Sequence, residues 1–170
     1  MHMADALISP AVGIAGWAGA AAVAAYAAAK LKKTATLEKT VPMMGVLGAF
    51  VFAAQMINFT IPGTGSSGHL GGGLLLSILL GPHAAFLALT SVLTVQALFF
   101  ADGGLLALGC NILNIAAISC YLVYPLIFKP LAGQNNSGTR RWLTMVLAAV
   151  INGALGAFGV VLETTTSGIS

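Results

Sequence analysis

Met1 and His2 can offer one metal ion three nitrogens: the terminal amine, the backbone amide of residue 2 and the imidazole of His2. Bound together they close a five-membered and then a six-membered chelate ring. With the amide deprotonated the donors lie in a plane, and a fourth nitrogen would complete the square that nickel(II) and copper(II) prefer. The chain holds only two other histidines, His69 and His83. The bland alternative is that His2 sits in a frayed tail, since chain ends are usually poorly ordered.

Whatever positions these groups must work in an unusual solvent. Of the 170 residues 58% are hydrophobic and only 6% are charged, against roughly 25% charged in soluble proteins. Such a chain cannot cover a water-soluble surface, and the composition predicts an all-α polytopic transmembrane bundle, residues 1–170 forming one membrane domain. The net charge of +3 is small. It is not arranged as basic residues interleaved with aromatics on one face, so nucleic-acid binding is excluded. Cys110 and Cys120 lie in one apolar stretch without CxxC spacing, which suggests packing rather than a disulfide or thiolate metal site. The first basic residue is Lys30, after the first apolar run rather than before it. A cleaved secretory signal is therefore not expected.

About 20 apolar residues cross a bilayer. Leu7–Leu31 is the first such run, rich in Ala and Gly, whose small side chains let a neighbouring helix approach closely. Lys30, Lys32, Lys33 and Lys39 follow, and the positive-inside rule places that loop in the cytoplasm and the amino terminus outside. Pro42–Ile61 is the second span. It returns the chain to the outer face, where residues 62–68 form a turn-rich loop that delivers His69 to the same side as His2. Leu70–Phe100 reads as two short passes broken at Gly81-Pro82; a single pass would put Lys129, Arg140 and Arg141 outside, against the charge rule. The glycines at 71–73 suggest that the first of the two begins with irregular backbone buried in protein. Gly104–Phe128 and Trp142–Leu162 are the fifth and sixth spans.

His83 falls at the inner end of the hairpin, a bilayer's depth from the other two histidines, and is left out of the site. Gln55, Asn58, Gln96, Asn111, Asn114 and Asn152 are polar at membrane depth and should face the bundle. Most need only interhelical hydrogen bonds. Asn111 and Gln96, with Ser67, are the candidates to orient the histidines. The Gly65-Ser66-Ser67-Gly68 loop also has the Gly-x-Ser-Gly form found around the nucleophile of rhomboid-type membrane proteases. A membrane-embedded serine hydrolase is the rival reading. It needs a base within reach of Ser67, and His83 lies at the wrong depth. The loop lacks the Gly-Lys-Ser/Thr ending of a nucleotide phosphate cradle.

Met1-His2-Met3-Ala4-Asp5-Ala6-Leu7-Ile8-Ser9-Pro10, Ser67-Gly68-His69-Leu70-Gly71-Gly72, Leu80-Gly81-Pro82, Val95-Gln96-Ala97-Leu98, and Asp102-Gly103-Gly104 through Asn111-Ile112-Leu113-Asn114 follow one another in order. Together these blocks resemble the CbiM/NikM family, the substrate-binding membrane components of energy-coupling factor transporters for nickel and cobalt. The resemblance covers residues 1 to about 115 in specific blocks and continues mainly as hydrophobic pattern. It implies a metal held by the terminal amine of Met1, the amide and imidazole of His2, and the imidazole of His69. It also implies a membrane coupling subunit, a pair of cytoplasmic ATPases and a small accessory membrane subunit as partners, no catalytic activity in this chain, and no organic cofactor. Family members continue into a further apolar helix, so a seventh is expected beyond Ser170. Nickel is expected over cobalt, because a deprotonated amide is best matched by a d8 ion held square-planar.

Overall fold

The computed structural model describes residues 2–63, 66–132 and 138–168; Met1 and the side chains of Ser66 and Ser67 lie outside that description. Its elements are α1 (Pro10–Leu31), α2 (Leu37–Gln55), a two-stranded hairpin of β1 (Phe59–Ile61) and β2 (Ser66–Gly68), α3 (Gly73–Leu80), α4 (Pro82–Phe99), α5 (Leu108–Ala132) and α6 (Gly138–Ser167). All but α3 are long and apolar enough to cross a membrane. The chain is thus a polytopic helical membrane protein. Its outward faces carry Val46, Phe50, Val150 and Phe158, each exposed over 60% or more of its surface. Side chains of that kind belong against hydrocarbon rather than water.

The helix ends differ from the sequence expectation for local reasons. Ser9 caps α1, accepting a hydrogen bond from Val12 N–H at 3.4 Å, with Pro10 at the first helical position. That leaves Leu7 in a separate turn, Asp5–Leu7. The second helix starts at Leu37 and not at Pro42, so Pro42 lies inside it beyond the polar first turn of Glu38, Lys39 and Thr40, where it forgoes an N–H bond to the Glu38 carbonyl. It also stops at Gln55 instead of reaching Ile61. Residues 59–61 pair antiparallel with 66–68, Phe59 opposite Gly68 and Ile61 opposite Ser66. Asn58 is consequently an exposed loop residue and not a polar group at membrane depth. The long apolar run after His69 divides at Gly81, which has φ of 80°, into α3 and α4. At eight residues α3 is only about 12 Å long. The chain before it, residues 69–72, has no regular secondary structure, with Gly72 at φ of 75° where a Cβ would strike Val51. The last two helices extend beyond the expected limits, to Ala132 and over Gly138–Ser167. Most of α5, Ile112–Phe128, is wound as a π-helix, and Lys129 N–H accordingly donates to the Tyr124 carbonyl five residues back.

The centre of the bundle is α4 with α5, each half buried, packed around Phe86, Leu89, Leu93, Leu76 and Ile115. Cys110 and Cys120 are free thiols inside it. α1 lies directly on α5 through glycine: a Cβ on Gly109 would meet the backbone of Gly16 and Trp17, and one on Gly16 would meet Cys110. Gly109→Val is therefore expected to destabilise the bundle by about 1–3 kcal/mol or more through overpacking, read as a lowered melting temperature in detergent. An unchanged melting temperature would show that the two helices can part without cost.

Candidate metal centre

Three loops meet at the end of the bundle opposite the lysine and arginine residues. The first is the amino-terminal segment. Met3 is fully buried among Ile8, Ala107 and Cys110. Its N–H donates to Asn111 Oδ1 at 2.9 Å, while its carbonyl accepts from Asn111 Nδ2 at 3.2 Å and from Gly104 N–H at 3.0 Å. Asp5 Oδ1 accepts from Ala107 N–H at 2.9 Å, a carboxylate at the start of α5 where the helix dipole favours negative charge. Gly104 has to be glycine, since a Cβ there would overlap the Asp5 carboxylate. The segment is therefore docked, not frayed, and His2 is held 3% exposed.

The second loop carries His69, directly after β2. Its Nδ1 lies 2.8 Å from the Leu70 carbonyl. A carbonyl can only accept, so Nδ1 bears the proton and Nε2 bears the lone pair. That Nε2 is buried and has no hydrogen-bond partner among the described residues. Burial is also the main reason the His69 imidazole titrates low, at about 4; the Leu70 carbonyl opposes the shift and the nearby His2 adds to it. At neutral pH the ring is uncharged, the form that binds metal.

The third loop, between α4 and α5, brings Asp102. Its Oδ1 is 3.1 Å from His2 Nδ1, and its Oδ2 accepts from Asn58 Nδ2 at 3.3 Å. The adjacent His2 ring, first of all, holds the Asp102 carboxyl below the usual carboxylate range. Gln96 connects the second and third loops. Its carbonyl accepts from Asp102 N–H at 3.2 Å. Its Nε2 donates to Gln55 Oε1 at 3.0 Å, and Gln55 Nε2 donates to the Gly71 carbonyl at 2.9 Å.

The outcome for the expected residues is specific. His2 and His69 are together, with ring centroids 4.6 Å apart and planes tilted by 30°. Met1 lies outside the described residues, as does the Ser67 side chain. Asn111 clamps the main chain next to His2, and Gln96 acts on the His69 loop through Gln55. His83 is elsewhere, its Nδ1 3.0 Å from the Tyr121 hydroxyl and its ring against Tyr26. Asp102 and Gln55 were missed. A signal existed for Asp102, as one of only four acidic residues in the chain; nothing in its spacing separated Gln55 from the other buried amides. No group of three or more His, Cys, Asp or Glu side chains suited to a metal occurs among the described residues. A centre drawing on main-chain and terminal nitrogens would not register as such a cluster.

A family model described as the cobalt uptake substrate-specific transmembrane region, CbiM, matches residues 2–170. Two relatives carry the designation putative: a metal transport protein of Haloquadratum walsbyi, 39% identical over 153 residues, and a fused nickel transport protein, NikMN, of Archaeoglobus fulgidus, 42% identical over 119. The matches cover 89% and 68% of this chain, and 69% and 40% of those relatives. A crystal structure of a transition metal transporter shares the fold with a TM-score of 0.86 at 33% identity, covering 96% of this chain and 70% of that one. These relatives are transport proteins rather than enzymes, so the serine-hydrolase reading falls away. A match over nearly the whole length makes this chain a member of the CbiM family of cobalt and nickel transport proteins.

Proposed function

We propose that the chain captures Ni2+, with Co2+ as a weaker competitor, in a square of four nitrogens: the Met1 amine, the His2 amide, His2 Nδ1 and His69 Nε2. Only Nδ1 of His2 can close the six-membered ring with its own amide. The observation that carries the reading is the His69 Nε2 lone pair, buried without a hydrogen-bond partner among the described residues, on a ring whose centroid lies 4.6 Å from that of the buried His2 imidazole. A buried polar atom left without a partner is costly. A metal bond would supply what is missing. Asp102 would then offset part of the charge of the bound cation.

All seven basic residues lie at the opposite end of the bundle, in keeping with a centre on the outer face and an inward basic end. The 1–170 membrane domain would act as the substrate-capturing component of an energy-coupling factor transporter. ATP hydrolysis and inward movement would fall to a membrane coupling subunit and cytoplasmic ATPases, with a small accessory membrane subunit alongside.

Isothermal titration of the purified protein with both ions tests the reading, and tighter cobalt than nickel binding would overturn the square-planar assignment. His69→Ala is expected to weaken nickel binding by about tenfold or more while leaving a three-nitrogen site. Affinity should also fall as pH drops below about 7, because protons compete with the metal for the amide and for a terminal amine, a group whose unperturbed pKa is about 8. His69, titrating at about 4, is already deprotonated over that range and cannot cause the fall. The same slope of log affinity against pH is therefore expected in His69→Ala, displaced to weaker binding. A slope that became shallower with the substitution would place a competing proton on His69 after all.

A further inference from the structure

At the basic end a cavity of about 380 Å³ lies between α3, α5 and α6, lined by Ile78, Tyr124, Phe128, Lys129, Arg141 and Met145. Its walls are apolar or aromatic, and Tyr124 and Phe128 stack at 6.0 Å. Two cations stand at its rim, one from α5 and one from α6. Neither Lys129 nor Arg141 has an ion pair with an acidic side chain among the described residues, where the recorded pair is His2 with Asp102 at the other end. Through Ile78 and Met145 the cavity adjoins a second, of about 400 Å³, which continues between α3 and α6 past Ala149 and Gly153 toward His69. Both volumes fall within the range of ordinary ligand pockets.

A paired positive rim with an apolar channel behind it has one natural complement in a membrane. We propose that this cavity is a binding site for an anionic glycerophospholipid from the leaflet at the basic end. The phosphate sits between the Lys129 ammonium and the Arg141 guanidinium, and one acyl chain passes Ile78 and Met145 into the adjoining channel between α3 and α6. Charge complementarity selects the headgroup, since basic pockets between membrane helices recruit anionic lipid at about five-fold preference per cation. The shortness of α3 leaves the space. A soluble phosphate ester matches the rim but not the apolar walls, and a zwitterionic lipid matches the walls but not the rim.

Trp142 adjoins Arg141 and is one of only two tryptophans; the other, Trp17, bonds to the Leu105 carbonyl near the metal end. Quenching of Trp142 by phospholipids brominated on their acyl chains therefore reads occupancy. It is measured in Trp17→Phe protein, or as the difference between wild-type and Trp142→Phe protein in nanodiscs. Brominated phosphatidylglycerol is expected to reach half-quenching at a mole fraction at least tenfold lower than brominated phosphatidylcholine. Replacing both Lys129 and Arg141 by Gln should abolish that preference, while Lys32→Gln with Lys33→Gln, at the same end but outside the cavity, should keep it. Met145→Phe, which narrows the channel without altering charge, should weaken it too. The proposal fails if the two lipids quench alike in the native protein. It fails equally if the Lys32/Lys33 substitutions remove the preference as fully as those at the rim, or if soluble glycerol phosphate displaces the lipid.

Discussion

His2→Ala is expected to lower nickel affinity by about a thousandfold or more, since loss of an outer partner alone commonly costs roughly 10–100-fold and this change removes a donor and a chelate ring together. The buried setting sharpens the expectation: His2 is 3% exposed and 3.1 Å from Asp102, so its imidazole is held in place by its surroundings before a metal arrives. Placing one residue ahead of Met1 should do comparable damage by a different route. It converts the primary amine into an amide and leaves every described side chain intact. Titration calorimetry of the two variants separates the chelate from a simple two-histidine site. An extended protein that bound nickel as tightly as the original would remove the terminal amine from the proposal, leaving His2 and His69 to be explained some other way.

Asn111→Leu ranks second, with an expected loss of about 10–100-fold in nickel affinity. Leucine keeps asparagine's branched outline, though it is larger, but can neither accept from Met3 N–H nor donate to its carbonyl. The carbonyl keeps Gly104 N–H. The Met3 N–H is left buried and unpaired, at about 1–3 kcal/mol, and the segment beside His2 gains freedom that metal binding must then remove. Calorimetry should show the loss chiefly as a less favourable entropy. Full-strength binding in this variant would mean that Ile8, Ala107 and Cys110 dock the segment without Asn111.

The polytopic class and the meeting of His2 with His69 were legible because each depends on composition or charge count. Apolar run lengths give the first, and the positions of Lys30 to Lys39 and Lys129 to Arg141 bring the two histidines to one end of the bundle. Helix ends were less legible. The second helix extends back past Pro42, and it stops at Gln55 where the chain turns to pair residues 59–61 with 66–68, a contact that no propensity records. Asp102 and Gln55 escaped for the same reason. Their roles arise from pairings between residues 100 and 41 positions apart, His2 with Asp102 and Gln55 with Gln96. Gln96 and Asn111 could be singled out as polar in an apolar stretch, but the partner of each became plain only in three dimensions.

The docking of Met3 has a kinetic consequence. A ligand held by an exposed loop departs when its own bonds break. A metal held by a terminus whose third residue is buried and fastened by Asn111 and Gly104 must also wait for that segment to come out. Under the proposed coordination, residence time would become a property of the peptide plug as well as of the coordination bonds. Spontaneous release into a chelator, followed by stopped flow, should accelerate in Asn111→Leu. If release were equally slow in both proteins, the metal–nitrogen bonds alone would be the lock.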